Sequence, residues 1–313
     1  MSSKTAQADS AGPTAAGLGP GDVVRGAEEM AGVRPSRKVL LGFVPVSILL
    51  TVFFLAPMIT MVLYSLWTME GFNVVPKWTL DHYRQFFTAG MYLSVLLKTF
   101  GISLLVTVLA LLFGYPFAFF LVRYVSKRWQ LPLLMLVIIP FWTSYLLRVY
   151  AWMGILGRKG VINELLMFLG LIEEPLSFLL YNNGSVTLVF LYLYLPFAII
   201  TLYASIEKFD FTQITAAMDL GARPWRTFVE IMLPQTKQGV ITAFLFIFIP
   251  MLGEYIAPKL VGGTSGTMMA ILIVTLFRGF QFPTGAAVAL SIVVLITIIL
   301  IVFRRYLRIE DLE

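Results

Sequence analysis

Cysteine is absent from the 313 residues, and histidine occurs once, as His82. The first absence excludes disulfides, thiol nucleophiles and thiolate metal sites together. The second leaves His82, in an expected outer loop, without companions at ligand spacing, so no metal centre is expected. Charge is scarce as well, with Asp, Glu, Lys and Arg making up 13% of the chain. There is no GxxxxGK[ST] phosphate loop, and no glycine is followed by lysine, so the chain lacks the cradle with which P-loop proteins hold ATP. Nucleophile elbows and paired-carboxylate hydrolase patterns are missing too. The expectation is a chain that is no enzyme and binds no cofactor.

Apolar residues fill the space: they make up 59% of the sequence, and the mean hydropathy is +0.87. That balance belongs to membranes rather than to soluble domains. An α-helix needs about 20 apolar residues to cross a ~30 Å hydrocarbon layer, and six such runs are present, near 39–63, 95–122, 131–156, 185–205, 239–261 and 286–303. No two-residue alternation of a β-barrel is visible, so helices must satisfy the backbone inside lipid. The fold class expected is an all-α integral membrane protein with six transmembrane helices.

Residues 1–38 are rich in Ala, Gly, Ser and Thr and poor in aromatics, which predicts a disordered tail. The "RPSRK" stretch that closes this tail, residues 34–38, resembles the basic flank of a signal peptide, but the apolar run after it is too long and no convincing cleavage site follows, so that run should stay as an anchor. Residues 39–305 form the transmembrane domain, with a cytoplasmic loop at 206–238, and 306–313 form a short tail. Placing both termini in the cytoplasm puts the tail, "RYVSKRWQ", the 206–238 loop and the closing "RRYLR" on one side, with most of the Lys and Arg. The positive-inside rule selects that orientation. The net charge of +6 is accounted for by basic flanks facing anionic lipid and calls for no nucleic acid.

The 206–238 loop contains "ITAAMDLGARPWRTFVEIMLP", Ile214 to Pro234. Ala216, Ala217 and Leu220 share a helical face, Gly221 suits the left-handed conformation that ends a helix, and Pro224 suits the first turn of the next. Trp225, Phe228, Val229 and Met232 form one apolar stripe, after which Pro234 should stop the helix. Two readings fit: an amphipathic helix lying on the membrane surface, or a bent pair of helices presented to a groove on a partner.

The spacing Ala216-Ala217, then Gly221, then nine residues to Ile231 with Leu233-Pro234 behind it, resembles the "EAA…G…I.LP" loop of permease subunits of binding-protein-dependent ABC importers. "PFWTSYLLRVYAWMGIL" (140–156), "GVINELL" (160–166), "YLPFAI" (194–199) and "GEYIAPKLVGG" (253–263) resemble the spermidine/putrescine branch, and within it the first of the two permease subunits. The likeness covers about residues 40–305. Where the family's loop usually begins with Glu, this chain has Thr215. The resemblance implies a type I ABC importer permease fold. It assigns docking of a cytoplasmic ATPase dimer, which binds ATP and Mg2+, to Thr215, Ala216, Ala217, Asp219, Leu220, Gly221, Ala222, Ile231, Leu233 and Pro234. It also implies a second homologous permease, and a periplasmic binding protein that docks on the outer links 64–94, 157–184 and 262–285.

A passage through the bilayer belongs where helices are interrupted. Pro116, Pro140, Pro196, Pro250 and Pro258 fall in or at the ends of the expected spans, where each removes a backbone donor. Glu254 is the only acidic residue in those spans, and a buried charge of that kind wants a partner. Lys259 or Arg148 would neutralise it structurally; a passing cationic amine would do so transiently. Trp142, Tyr145, Trp152 and Tyr255 offer aromatic faces to such an amine, although Trp and Tyr also gather at membrane interfaces whatever the cargo. An opine or amino-acid-like solute fits the same architecture. A gradient-driven secondary transporter is the rival class; it calls for several embedded acids or histidines and an internal repeat, none of which is visible.

Overall fold

The structure, a computed structural model, describes residues 37–307. The expected disordered tail and the C-terminal tail lie outside the described residues, apart from the first residues of α1 and the last of α15. Contacts divide the chain into two units at Ile59 and Thr60. The first unit holds α1 (Arg37–Leu50), a π-helical turn (Thr51–Leu55) and the start of α2 (Ala56–Leu66). Its apolar side chains from Val44 to Leu55 are exposed, as expected of a helix that is apolar all round and meets lipid.

The second unit opens with the rest of α2 and a short antiparallel hairpin, β1 (Thr68–Glu70) and β2 (Asn73–Val75), followed by α3 (Asp81–Thr88). Three long helices then make the centre: α4 (Gly90–Tyr124), α8 (Asn183–Ile206) and α12 (Lys237–Leu252). Between them come α5 (Lys127–Ile138), a 3-10 turn (Ile139–Trp142), α6 (Tyr145–Leu156), α7 (Val161–Phe168), α9 (Thr212–Asp219), α10 (Pro224–Thr227) with a π-helical turn (Phe228–Met232), and α11 (Leu233–Gln235). The chain closes with α13 (Ile256–Val261), α14 (Met269–Arg278) and α15 (Phe282–Leu307).

Among the described residues, four helical stretches are long and apolar enough to cross a bilayer: Val44–Leu66, Gly90–Tyr124, Asn183–Ile206 and Phe282–Arg304. The other two expected spans differ from the sequence reading. The 131–156 run is broken: Lys127–Trp142 and Tyr145–Phe168 meet at 89°. The break follows Pro140, where Thr143 turns extended (ψ 150°) and its hydroxyl donates to the Pro140 carbonyl at 2.7 Å. The 239–261 run stops at Leu252, and Gly253–Tyr255 separate α12 from α13. Pro116 and Pro196, by contrast, sit inside helices that continue past them.

Small residues hold the centre together. In lipid, helices associate by close packing rather than by escaping water, so interfaces favour Gly and Ala. Ala110, Gly114 and Ala118 recur every four residues on α4, and all are buried. A Cβ on Gly114 would lie 2.9 Å from the Cβ of Ala198 on α8. Around this contact lie Val106, Phe190, Leu202, Ile247 and Met251, all fully or nearly fully buried. Gly114→Leu should therefore lower the unfolding temperature in detergent by several degrees, since overpacking costs about 1–3 kcal/mol. Gly101→Leu on the same helix, where nothing lies within 4 Å of a Cβ, should leave it unchanged. Equal melting curves for the two variants would refute the close-packing argument.

A second cluster, Phe86, Tyr92, Met269, Leu272, Leu276, Val288 and Ile292, joins α3, α14 and α15 to the start of α4. Thr99 on α4 accepts the N–H of Met269 at 2.9 Å, supplying one of the partners that a helix start lacks. His82 belongs to this region. Its Nε2 lies 3.0 Å from the carbonyl of Trp67, so Nε2 donates; Nδ1 then accepts from the Thr284 hydroxyl at 3.1 Å. One ring nitrogen thus ties α3 to the end of α2 at Trp67, and the other ties it to α15.

Candidate functional site

Two places carry the residues singled out in the sequence: the Ile214–Pro234 segment and the break after α12.

In the first, the Asp210 carboxylate accepts from the Thr212 N–H (3.0 Å) and hydroxyl (2.8 Å) at the start of α9. These bonds hold the exposed Asp210 carboxyl below its usual range. The helix ends as expected. Gly221 has φ +88°, its N–H donates to Met218 O (2.9 Å), and the Ala222 N–H donates to Ala217 O (3.0 Å). This is the Schellman arrangement, which satisfies the last carbonyls of a helix. Arg223 is extended, as a residue before proline prefers, and Pro224 occupies the first turn of α10.

Beyond this point the structure corrects the sequence reading. Phe228–Met232 form a π-helical turn, which takes more residues per turn than an α-helix and so rotates the following side chains. The inward stripe is accordingly Phe228, Ile231 and Met232, packed with Phe209, Phe211 and Ile214 against the main core. Trp225, 74% exposed, and Val229 face outward. Pro234 does not stop the helix; it sits in the first turn of α11, and the 69° bend into α12 falls at Thr236. The buried Thr236 hydroxyl donates to Met232 O (2.9 Å), so the Tyr115 hydroxyl donates to Thr236 Oγ1 (2.8 Å). The Tyr115 ring packs edge-on against Phe228 at 5.4 Å. The segment is thereby fastened to the C-terminal third of α4, and a Gln235–Gln213 side-chain bond ties its two arms together.

On the outer side of the bend, Ala217, Leu220, Gly221, Ala222, Arg226, Glu230 and Ile231 line an open groove of about 340 Å³. Leu220 is 90% exposed, and Thr215, Ala216 and Asp219 are also exposed. Leu233 is half-buried and packs on the core. Arg226 and Glu230 pair across one turn at 2.8 Å.

At the second place, Glu254 lies in the Gly253–Tyr255 interruption rather than within a span. Its Oε1 accepts the Ile256 N–H at 3.0 Å. Tyr145 and Tyr194 both lie within electrostatic reach of its carboxylate. Tyr194 was not among the residues singled out from the sequence. The expected structural pairing is not formed: among the described residues no cation lies within ion-pair distance of Glu254, and Lys259 is exposed. The Arg148 guanidinium instead stacks over Phe141, 4.8 Å from its centroid, and lies 5.8 Å from that of Tyr145. Its Nε and the Tyr145 hydroxyl are buried without hydrogen-bond partners. Phe141 packs on Phe197 at 4.8 Å, and Phe197 lies 6.1 Å from Tyr194, so a wall of rings runs from α8 to the 3-10 turn.

The other aromatic candidates divide. Trp152 packs on Tyr192 at 5.3 Å within the main core, and Tyr255 is half-buried beside Glu254 in sequence. Trp142 is 87% exposed and takes no part in the ring wall, whose member at that turn is its neighbour Phe141. The structure therefore gathers Tyr145, Arg148 and Glu254, adds Phe141 and Tyr194, and leaves Trp142 outside.

Residues 110–309 match the family described as binding-protein-dependent transport system inner membrane component. The chain belongs to that family. It is 36% identical over 231 residues to the spermidine/putrescine transport system permease protein PotB of Escherichia coli K12, covering 74% of this chain and 83% of that protein. It is 33% identical over 255 residues to the PotB of Haemophilus influenzae, covering 81% and 88%. Among solved structures it resembles a chain of a bacterial alginate ABC transporter in complex with alginate pentasaccharide-bound periplasmic protein, with a TM-score of 0.63 at 18% identity over 92% of this chain and 98% of that one. That likeness establishes the ABC importer permease fold. As a family member this chain is an inner-membrane permease subunit of type I fold, and the segment with the Schellman bend lies within the matched residues.

Proposed function

We propose that this permease carries a small cationic solute, a polyamine such as putrescine or spermidine, for an ATP-driven importer. The observation that carries the proposal is the Glu254 carboxylate, held at a helix interruption beside Tyr145 and Tyr194 with no cationic side chain among the described residues within ion-pair distance. A half-buried anion flanked by aromatic rings complements an alkylammonium group, which gains from both. The relatives named for spermidine and putrescine support the same cargo.

Hydrolysis takes place in a separate cytoplasmic ATPase dimer that binds ATP and Mg2+, and this dimer grips the Ile214–Pro234 segment. The exposed Leu220 and Trp225 and the adjoining groove supply its contact surface. Thr215, in place of an acid, leaves that contact without one ion pair. A second homologous permease completes the membrane unit, and a periplasmic binding protein hands over the solute, as the alginate transporter's periplasmic partner suggests. Both termini lie in the cytoplasm, where the basic flanks face anionic lipid. Closure of the ATPase dimer moves the segment, and its fastening through Thr236 to Tyr115 passes the movement to α4 and α12.

A second reading rests on Arg148. A zwitterion of opine or amino-acid kind would meet Glu254 with its ammonium group and Arg148 with its carboxylate. Proteoliposomes holding the complete transporter decide between them. ATP-dependent accumulation of radiolabelled putrescine or spermidine is expected; accumulation of an amino-acid-like solute with neither polyamine would overturn the cargo proposed.

A further inference from the structure

The ring faces of Phe141 and Tyr145 already hold a cation, one that belongs to the protein. We propose that Phe141, Tyr145 and Glu254 form a box for one ammonium or guanidinium group, and that Arg148 is a tethered occupant which the cargo's cationic end displaces. This rests on the cationic cargo proposed above and assigns the place where one end of that cargo sits.

Three observations combine. First, the Arg148 guanidinium lies 4.8 Å from the centroid of Phe141 and 5.8 Å from that of Tyr145, the range in which a ring quadrupole attracts a cation. Second, this cation is incompletely satisfied: Nε is buried with no hydrogen-bond partner, and among the described residues no carboxylate lies within 4 Å. A guanidinium held in place for structure alone is expected to fill its donors, because an orphaned charged donor in a buried place is costly. Third, Tyr145 neighbours both Arg148 and Glu254, and its buried hydroxyl lies within electrostatic reach of the carboxylate without a hydrogen bond of full geometry. The box thus has rings, a carboxylate and a hydroxyl, and an occupant that uses only the rings.

A permease must release what it accepts. An arginine that returns to the rings as the cargo leaves keeps the pocket from being empty and from retaining the cargo, since cargo and Arg148 compete for the same faces. Arg148 is therefore a positioning residue for release, and its removal should trap cargo rather than weaken its binding. Under the zwitterion reading the opposite holds, because Arg148 would then be the carboxylate's partner.

The test is equilibrium binding of radiolabelled putrescine to the complete detergent-solubilised transporter without nucleotide, with assembly checked by size exclusion. Arg148→Gln should bind putrescine at least about tenfold more tightly than wild type, and the gain should vanish in Arg148→Gln with Glu254→Gln. Arg148→Lys, which keeps a cation at the rings, should stay near wild type and guards against a general loosening of α6. Methylguanidinium, which needs only the box, should compete for the Arg148→Gln site at millimolar concentration. No gain in Arg148→Gln for either putrescine or methylguanidinium overturns the inference, as does a gain that survives the loss of Glu254. Binding of methylguanidinium without putrescine supports the box and overturns the polyamine cargo instead. Wild-type putrescine uptake, measured in parallel, shows whether the cargo reading stands when the box fails.

Discussion

Glu254→Gln is expected to cut the initial rate of polyamine uptake by about 10- to 100-fold while leaving the yield of assembled transporter close to wild type. The magnitude follows from the charge: a hydrogen bond or ion contact to an ionised group contributes roughly 1.5–3 kcal/mol, against about 1 for a neutral one. The selectivity follows from the local geometry. Glu254 serves the fold through one oxygen, which accepts the Ile256 N–H at the start of α13, and a glutamine carbonyl can accept the same bond. Were Glu254 paired with Lys259 or Arg148, neutralising it would strand a cation and the fold would suffer; no such pair lies within 4 Å among the described residues. Uptake of radiolabelled putrescine into proteoliposomes, set against the size-exclusion peak of the complex, separates the two effects. A parallel fall in both would make Glu254 a structural residue, and unchanged uptake would take it off the cargo's path.

The part of this site that was legible in the sequence is the part set by local chemistry. An apolar run of about 20 residues has one stable form in lipid, which is why the run at 185–205 lies within Asn183–Ile206 almost to the residue. Gly221 and Pro224 announced the bend because a left-handed residue and a ring-locked φ leave the backbone few alternatives. Interruptions were harder to read, because prolines that look alike in sequence behave differently in place. Pro116 sits in the stretch of α4 where Ala110, Gly114 and Ala118 lie buried, and the close contact of Gly114 with Ala198 on α8 supports the helix across the missing hydrogen bond. Pro140 has no comparable ladder, and the chain turns away after it. Tyr194 was missed for a different reason: it is far from Glu254 along the chain, and nothing in an aromatic-rich helix marks the one ring that meets the carboxylate. The π-helical turn at Phe228–Met232 was equally hidden, since an apolar pattern fits two angular steps and only packing on Tyr115 and Phe211 selects one.

Gly221→Val should uncouple the transporter: nucleotide hydrolysis persists, but uptake per ATP falls by about tenfold or more, with membrane insertion intact. Gly221 has φ +88°, and nothing lies within 4 Å of where its Cβ would be. The penalty of a side chain is therefore conformational and not a clash; a branched residue in left-handed space costs about 1–2 kcal/mol or more. The chain can relieve that strain only by abandoning the Met218–Gly221 and Ala217–Ala222 hydrogen bonds, which swings α9 and the exposed Leu220 relative to α10. The core end of the segment, held by Tyr115 and Thr236, keeps its place, so the contact surface shifts while its fastening does not. Gly221→Asn provides the control, because asparagine tolerates the left-handed region and should retain most of the coupling. Hydrolysis and uptake are measured together in proteoliposomes loaded with the binding protein and cargo. Normal coupling in the valine variant would refute the bend as the rigid part of the lever. Equal damage from asparagine and valine would show instead that the glycine matters for the room it leaves to a partner, and would move the explanation from backbone conformation to contact.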